Sequence, residues 1–363
     1  MTLTEALLWP FSLLYGAATH LRARAYRKGL LKPKHLDGLV ISVGNITVGG
    51  TGKTPMVLWI AERLIAEGQS AGILTRGFKG KPITPREARG RKESSKAAMR
   101  TSAEHKQSSL YASTSDEVRL LQSRLGDRAQ FGVGANRYAN GRLLRARGVD
   151  WFILDDGFQH LQLARDVDIV LIDASRPFGG GRLLPSGRLR EWRSALARAD
   201  IIVITRSDHN PAVEAAIRHE SEAPIFYARP KLDSIFSFSE GLIAGDVAPA
   251  ATGKLLAFCA IGNPQAFISD LRKWGIEIVG HKFYADHHRF TDRDDEVILE
   301  AAKAAGATGL ICTEKDLYNL HAIYYREMPV FYCSISMEID REDELWRTIQ
   351  ALAKSRGKST AAR

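Results

Sequence analysis

The run Val48-Gly49-Gly50-Thr51-Gly52-Lys53-Thr54 sets glycines, a lysine and a hydroxyl in the order that phosphate binding needs. In such a loop, backbone N–H groups of the glycine turn and of the following helix start point at phosphate oxygens. The lysine neutralises the β- and γ-phosphates, and the final hydroxyl ligates Mg²⁺. Lys53 and Thr54 take those two roles, with Gly49, Gly50, Thr51 and Gly52 as the cradle. The strict pattern has a glycine five positions before Gly52, where this chain has Thr47. ATP and Mg²⁺ are the implied ligands.

A second group is Ile153-Leu154-Asp155-Asp156-Gly157-Phe158-Gln159-His160, an apolar run ending in two carboxylates. In phosphate-loop folds a neighbouring strand delivers an acid to the metal shell. Adjacent carboxylates repel unless a cation offsets them, so Asp155 and Asp156 suit a metal edge better than a bare turn. The plainer alternative is a solvated pair at a strand end. Two weaker signals are Thr114-Ser115-Asp116-Glu117 and Tyr284-Ala285-Asp286-His287-His288-Arg289-Phe290. An aspartate so placed often opens a helix, and paired histidines in loops are commonly just solvated. Taken alone, the residues reach an ATP- and Mg²⁺-dependent phosphotransferase or ATPase.

Positioning these groups requires a strand before the loop and a helix after it. Leu39-Val40-Ile41-Ser42-Val43 reads as the strand, and Met56, Leu58, Trp59, Ile60, Leu64 and Ile65 give the helix. Further strands are expected at 71–75, 151–154, 168–172 and 201–205, with helices near 117–124, 136–147 and 191–198. This alternation predicts an α/β, P-loop NTPase-like fold: a mostly parallel sheet with helices on both faces. A second, smaller α/β domain follows, with strands at 255–261, 309–313 and 330–334 and helices near 264–274, 293–305 and 342–354. The expected division is an amphipathic membrane-associated helix at 1–30, a catalytic domain at 31–230, the second domain at 231–354 and a disordered tail at 355–363.

The chain of 363 residues, 45% hydrophobic, can bury two cores. Its formal charge of +10 is local. Residues 1–36 hold six Lys or Arg against Glu5, and residues 79–115 hold nine against three Glu, leaving the rest near neutral. Such clustering argues against a nucleic-acid groove and for an anionic surface. The 79–115 stretch has few large apolar residues and is expected to be a mobile basic loop. Cys259, Cys312 and Cys333 sit in apolar runs and read as buried reduced thiols. Leu3, Leu7, Phe11, Leu14, Ala18 and Leu21 fall at helical spacing beside the first basic cluster, in a stretch too short to span a bilayer. A core helix is the competing reading.

Together and in this order, these segments resemble the tetraacyldisaccharide 4′-kinases of lipid A biosynthesis. The similarity takes in Val43-Gly44-Asn45, the glycine loop through Pro55, Thr75-Arg76-Gly77-Phe78, Asp116-Glu117, Leu154 to His160 and Leu183 to Glu191. It continues through Ile261-Gly262-Asn263-Pro264, Asp286-His287 and Thr313-Glu314-Lys315-Asp316. The resemblance implies transfer of the ATP γ-phosphoryl to the 4′-hydroxyl of an acylated glucosamine disaccharide 1-phosphate, giving lipid IVA. It also implies a peripheral enzyme at the cytoplasmic face of the bacterial inner membrane, where the lipid surface is a partner. Asp116 would be the base, His287 its partner, and Asp155, Asp156, Gln159 and Thr54 the Mg²⁺ organisers. Arg76, Glu117, Arg190 and Glu191 would line the substrate side.

The chain departs from that pattern at Ser115, Val118 and Phe78-Lys79, where Gly, Pro and Tyr-Gly are usual. The main rival is a deviant-Walker ATPase of the partition type, which places a lysine where this chain has Val48. A membrane scaffold binding ATP structurally is a third reading.

Overall fold

The computed structural model describes residues 3–77, 115–239, 242–320 and 328–361. The basic loop expected at 79–115 therefore lies, apart from Ser115, outside the described residues. In chain order the elements are α1 (Leu3–Arg27), β1 (Leu39–Asn45), α2 (Lys53–Ala66), β2 (Ala71–Thr75), α3 (Asp116–Leu125), β3 (Ala129–Val133) and α4 (Arg137–Arg145). They continue as β4 (Trp151–Asp155), β5 (Val167–Asp173), β6 (Ile201–Thr205), α5 (Pro211–Arg218), β7 (Ile225–Ser239) and β8 (Leu242–Asp246). The last are β9 (Leu255–Cys259), α6 (Pro264–Lys273), β10 (Ile278–Phe283), α7 (Asp292–Ala304), β11 (Gly309–Thr313), α8 (Glu314–Leu317), β12 (Val330–Ile339) and α9 (Glu342–Ala361).

All these strands join one sheet in the order β10-β9-β11-β12-β7-β6-β5-β1-β4-β2-β3, with β8 on β7. β1 runs parallel between β4 and β5. Its residues from Val40 to Asn45 are buried, as expected for a strand covered on both faces. On one face, Met56, Val57, Ile60 and Leu64 of α2 pack over Ile41, Val43 and Ile153. On the other, Phe158, Leu183, Leu189 and Leu196 cover Val170 and Ile172. Cys259, Cys312 and Cys333 are buried and free, as the apolar runs around them imply.

The division expected after residue 230 falls inside β7. That strand pairs parallel with β6 through Ile225–Ala228 and antiparallel with β12 along the rest of its length. It carries the first unit's sheet into the second. The helix placed with the second unit from 342 instead returns to the first, because antiparallel β12 delivers the chain back across β7. Leu345, Trp346, Ile349 and Ala353 join the core beneath β1 and α2. Trp346 meets Trp59 edge-on at 5.8 Å, and Trp59 donates to Glu342 at 2.7 Å. The tail expected to be disordered from 355 is continued helix as far as Ala361. The stretch near 191–198 is a short 3₁₀ segment, Arg193–Arg198, since Leu189 bridges Thr47 and the Arg190 N–H is bound to the Ile46 carbonyl just before it, and β6 begins at Ile201. β3 and β10, unread in the sequence, end the strand order, and there Gln130, His281 and Lys282 dilute the apolar signal.

α1 lies on the loop that follows β5. Ser12 donates to Ser186 Oγ at 2.8 Å and accepts from the Ser186 N–H at 3.0 Å. A Cβ on Gly16 would stand 2.4 Å from Leu183, so this helix face requires a side-chain-free contact.

Because Trp346 is 5% exposed and fills the space between α9 and α2, Trp346→Ala is expected to cost about 3–5 kcal/mol. Urea unfolding followed by circular dichroism reads this as a lower midpoint. An unchanged midpoint would show α9 to be dispensable to the first unit.

Candidate active site

β1 ends at Asn45 and the chain turns through 46–52 into α2. Gly52 has φ 87°, a left-handed conformation that other residues adopt only with strain. Gly52 also brings no capping oxygen, so the first-turn N–H groups of α2 take no side-chain cap and keep their affinity for an anion. The loop is braced from three sides. Asn45 Nδ2 donates to Thr51 Oγ1 at 2.8 Å, Thr205 Oγ1 donates to the Thr51 carbonyl at 3.1 Å, and Arg188 Nη2 donates to the Val48 carbonyl at 2.9 Å. The second unit touches the loop as well, through Arg188 Nη2 donating to the Gly262 carbonyl at 3.3 Å. A Cβ on Gly262 would lie 2.6 Å from both Gly49 Cα and Gly50 N. Lys53 opens α2 with Thr54 beside it.

β4 delivers Asp155 and Asp156 to the same edge. Asp155 is buried and accepts from Thr75 Oγ1 at 3.0 Å. Burial, with the nearby negative charges of Glu117 and Asp156, pushes its pKa up to about 7 against the pull of Lys53. Asp156 adopts φ 51° and turns its carboxylate toward Lys53, with Nζ to Oδ1 at 3.6 Å. Arg190 Nη1 donates to both Asp156 oxygens at 2.8 Å. Burial opposes ionisation of Asp156, but Lys53, Arg190 and Arg137 outweigh it and hold the pKa at about 2.

This pair fits a divalent cation. Asp155 is a buried carboxylate short of positive charge, Asp156 is ionised, and Thr54 stands at the start of the facing helix. Among the described residues no three His, Cys, Asp or Glu side chains converge as a complete metal cage. Mg²⁺ commonly keeps water and phosphate oxygens and needs only one or two carboxylates. Gln159 stands behind the pair. Its Nε2 donates to the Asn45 carbonyl at 2.9 Å and to Glu191 at 3.1 Å, and its Oε1 accepts from Arg190 at 3.3 Å. Glu191 is buried and bound through both oxygens by Arg198, so its contacts hold Gln159 and Arg190 in place.

Across the sheet edge, α3 begins with Asp116. It is buried, and His287 Nδ1 lies 3.0 and 3.1 Å from its two oxygens. The residues are 171 positions apart, joined only by the fold. His287 has φ 62°, an uncommon conformation for this residue type, and its N–H donates to the Ala260 carbonyl at 3.1 Å. The Asp116 hydrogen bond raises the His287 pKa over the opposing effect of burial. Burial opposes ionisation of Asp116, but His287 and Lys315 prevail and its pKa sits below the usual carboxylate range. Glu117 bridges the two halves, 3.4 Å from Lys315 and close enough for its charge to act on Asp155. Arg76 is exposed immediately beyond β2, where its charge acts on buried Arg137.

Sequence reasoning missed several participants. Asn319 Nδ2 donates to Asp116 Oδ2 at 3.3 Å, Arg137 Nη2 donates to the Asp155 carbonyl at 3.0 Å, and Asn263 Nδ2 donates to Asp173 at 3.0 Å. Asn263 follows Ile261-Gly262 in a recognised string, which was the available signal; Asn319 sits in an ordinary polar turn and had none.

A phosphate loop, a metal-fitting carboxylate edge and a buried Asp–His pair on one mostly parallel sheet define a P-loop phosphotransferase. The model of the tetraacyldisaccharide-1-P 4′-kinase family matches residues 4–354, and the chain belongs to that family. The tetraacyldisaccharide 4′-kinase of Geobacter sulfurreducens is 40% identical, over 89% of this chain and 86% of that protein. The Desulfotalea psychrophila enzyme of that name is 35% identical, over 89% of this chain and 90% of its own length. The crystal structure of LpxK from Aquifex aeolicus in complex with ATP is similar with a TM-score of 0.68 and 26% identity, covering 97% of this chain and 100% of that one.

Gly262→Ala drives a methyl group into the loop backbone. ATP affinity is expected to fall by about tenfold, about 1.4 kcal/mol, with the circular dichroism spectrum intact. Isothermal titration with ATP measures this, and native affinity would show that Gly262 does not clamp the loop.

Proposed function

We propose that this chain transfers the γ-phosphoryl group of ATP to the 4′-hydroxyl of a tetraacyldisaccharide 1-phosphate, giving lipid IVA. The observation that carries the reading is the buried Asp116–His287 pair, 3.0 Å apart, on the same sheet edge as the phosphate loop of a chain from this kinase family. The α2 N-terminus and Lys53 bind the nucleotide phosphates. The acceptor oxygen attacks the γ-phosphorus in line as the bond to ADP breaks, and its proton passes to Asp116. His287 holds that carboxylate and shares the proton. Thr54, Asp155 and Asp156 would hold Mg²⁺, which supplies neutralisation of phosphate charge when bound, and Gln159, engaged with Asn45, Glu191 and Arg190, would support that edge from behind. Arg190, fixed against Asp156, orients that edge. Nothing in the site favours a partition-type ATPase.

The acceptor is a lipid, and α1 supports peripheral contact with the inner-membrane surface at its cytoplasmic face. Ser12 and Gly16 are buried against the body, while Leu7, Phe11, Leu14 and Leu21 are exposed along another face. Arg24, Arg27, Lys28 and Lys32 follow, suited to anionic headgroups. No helix of the described residues is long and apolar enough to cross a membrane.

With purified protein, radiolabelled ATP, Mg²⁺ and the disaccharide acceptor in detergent micelles, phosphorylated lipid is the expected product. Asp116→Ala is expected to lower turnover by roughly 10²–10⁴-fold with ATP affinity nearly unchanged. ATP hydrolysis without lipid product, or parallel loss of ATP binding in the variant, overturns the assignment. Replacing Leu7, Phe11 and Leu14 together by Ser leaves the docked face intact. It is expected to reduce sedimentation with anionic vesicles by at least about tenfold while micellar activity persists. Undiminished sedimentation would remove α1 as the membrane contact.

A further inference from the structure

Lys315 is a long cationic side chain turned inward at the junction of the two units, with only 17% of its surface exposed. Its Nζ lies 3.8 Å from Asp116 Oδ2, 3.4 Å from Glu117 Oε1 and 3.6 Å from Asp286 Oδ1. Asp116 and Glu117 belong to α3 in the first unit, and Asp286 precedes His287 in the second. One ammonium thus faces three carboxylates that would otherwise repel around the Asp–His pair.

The docking of α8 does not depend on this contact. Arg124 Nη2 binds Glu314 at 2.8 Å, Arg119 Nη1 donates to the Tyr318 carbonyl at 2.8 Å, and Asp316 accepts from the Ala260 N–H at 2.9 Å. Residues on both sides of Lys315 therefore fix the helix, leaving its ammonium free for a task at Asp116. Accepting a proton from the sugar hydroxyl requires Asp116 as a carboxylate while it is buried, and burial by itself favours the protonated acid.

We propose that Lys315 is a positioning residue for the Asp116–His287 base, holding the buried carboxylate ionised and turned to His287 by offsetting part of the negative charge that Asp116, Glu117 and Asp286 gather there. This rests on the reading of Asp116 as the base. The charged and titratable groups facing the pair are Lys315, Glu117, Asp286 and Arg119, with Asn319 as a neutral donor, Arg289 acting on Arg119 and buried Asp316 acting on Lys315. Removing the lysine charge acts in one direction on both members, since its field favours the deprotonated form of each. The acid limb of the rate profile then moves to higher pH.

The test is the single-turnover rate of lipid phosphorylation by the full chain with saturating ATP and Mg²⁺, between about pH 5 and 9. Lys315→Met is expected to raise the acid-limb midpoint by about one unit and to slow the reaction about tenfold below it, with the ATP KM unchanged. Lys315→Arg is expected to restore the native midpoint. An unmoved limb in the Met variant, or an Arg variant as impaired as the Met variant, overturns the proposal. If circular dichroism shows Lys315→Met to be unfolded, Asp286→Asn carries the test: deleting that negative charge should move the midpoint downward, and an unmoved midpoint overturns the proposal. A native rate in Asp116→Ala would instead refute the base assignment, so the two failures are distinguishable.

Discussion

Carboxylates gathered out of water repel one another and resist ionisation, and the active edge of this sheet gathers Asp116, Glu117, Asp155, Asp156 and Asp286. Each is matched to a cation that the fold brings from elsewhere. Lys53 and Arg190 hold Asp156, and Lys315 stands among Asp116, Glu117 and Asp286. Asp155 is the exception. Buried, with a threonine hydroxyl on one oxygen, it feels the Lys53 charge less than it feels burial, Glu117 and Asp156, and it is left wanting positive charge in the place where Mg²⁺ and a phosphate chain would meet.

The sheet makes this arrangement possible because parallel strands end on the same side. β1, β4 and β5 deliver the glycine loop, the carboxylate pair and Asp173 to one edge, and α3 opens on Asp116 beside them. β7 then changes partners from parallel β6 to antiparallel β12, so a single strand couples the units. Contacts on the loop side, through Gly262 and Asn263, and on the Asp116 side, through His287, Lys315 and Asn319, come from the same second unit. A shift of that unit would therefore reach the glycine loop and Asp116 together.

α1 joins the surface to the site. Its buried face is locked to Ser186 and Leu183, and Arg22 donates to the Gln159 carbonyl at 3.2 Å, one residue chain away from Arg190 and Asp156. A helix that exposes Leu7, Phe11, Leu14 and Leu21 is thus in hydrogen-bond contact, through Arg22, with the segment that carries Asp155 and Asp156.

Local pattern was legible wherever chemistry is local. Glycines, Lys53 and Thr54 must be contiguous to wrap a phosphate, and the Asp155-Asp156 pair ends an unmistakable apolar strand. The phosphate loop, the first unit's alternating strands and helices, and the family resemblance follow from the amino-acid order alone. The partnership of Asp116 with His287 entered only through that resemblance, because a hydrogen bond spanning 171 positions leaves no periodic trace. The return of α9 to the first unit, the shared strand β7 and the convergence of Lys315 on three carboxylates were decided by tertiary structure. Helical pattern tells that a face will be buried, but which sheet buries it depends on strand order, and a lysine's partners depend on which distant loops the sheet sets side by side.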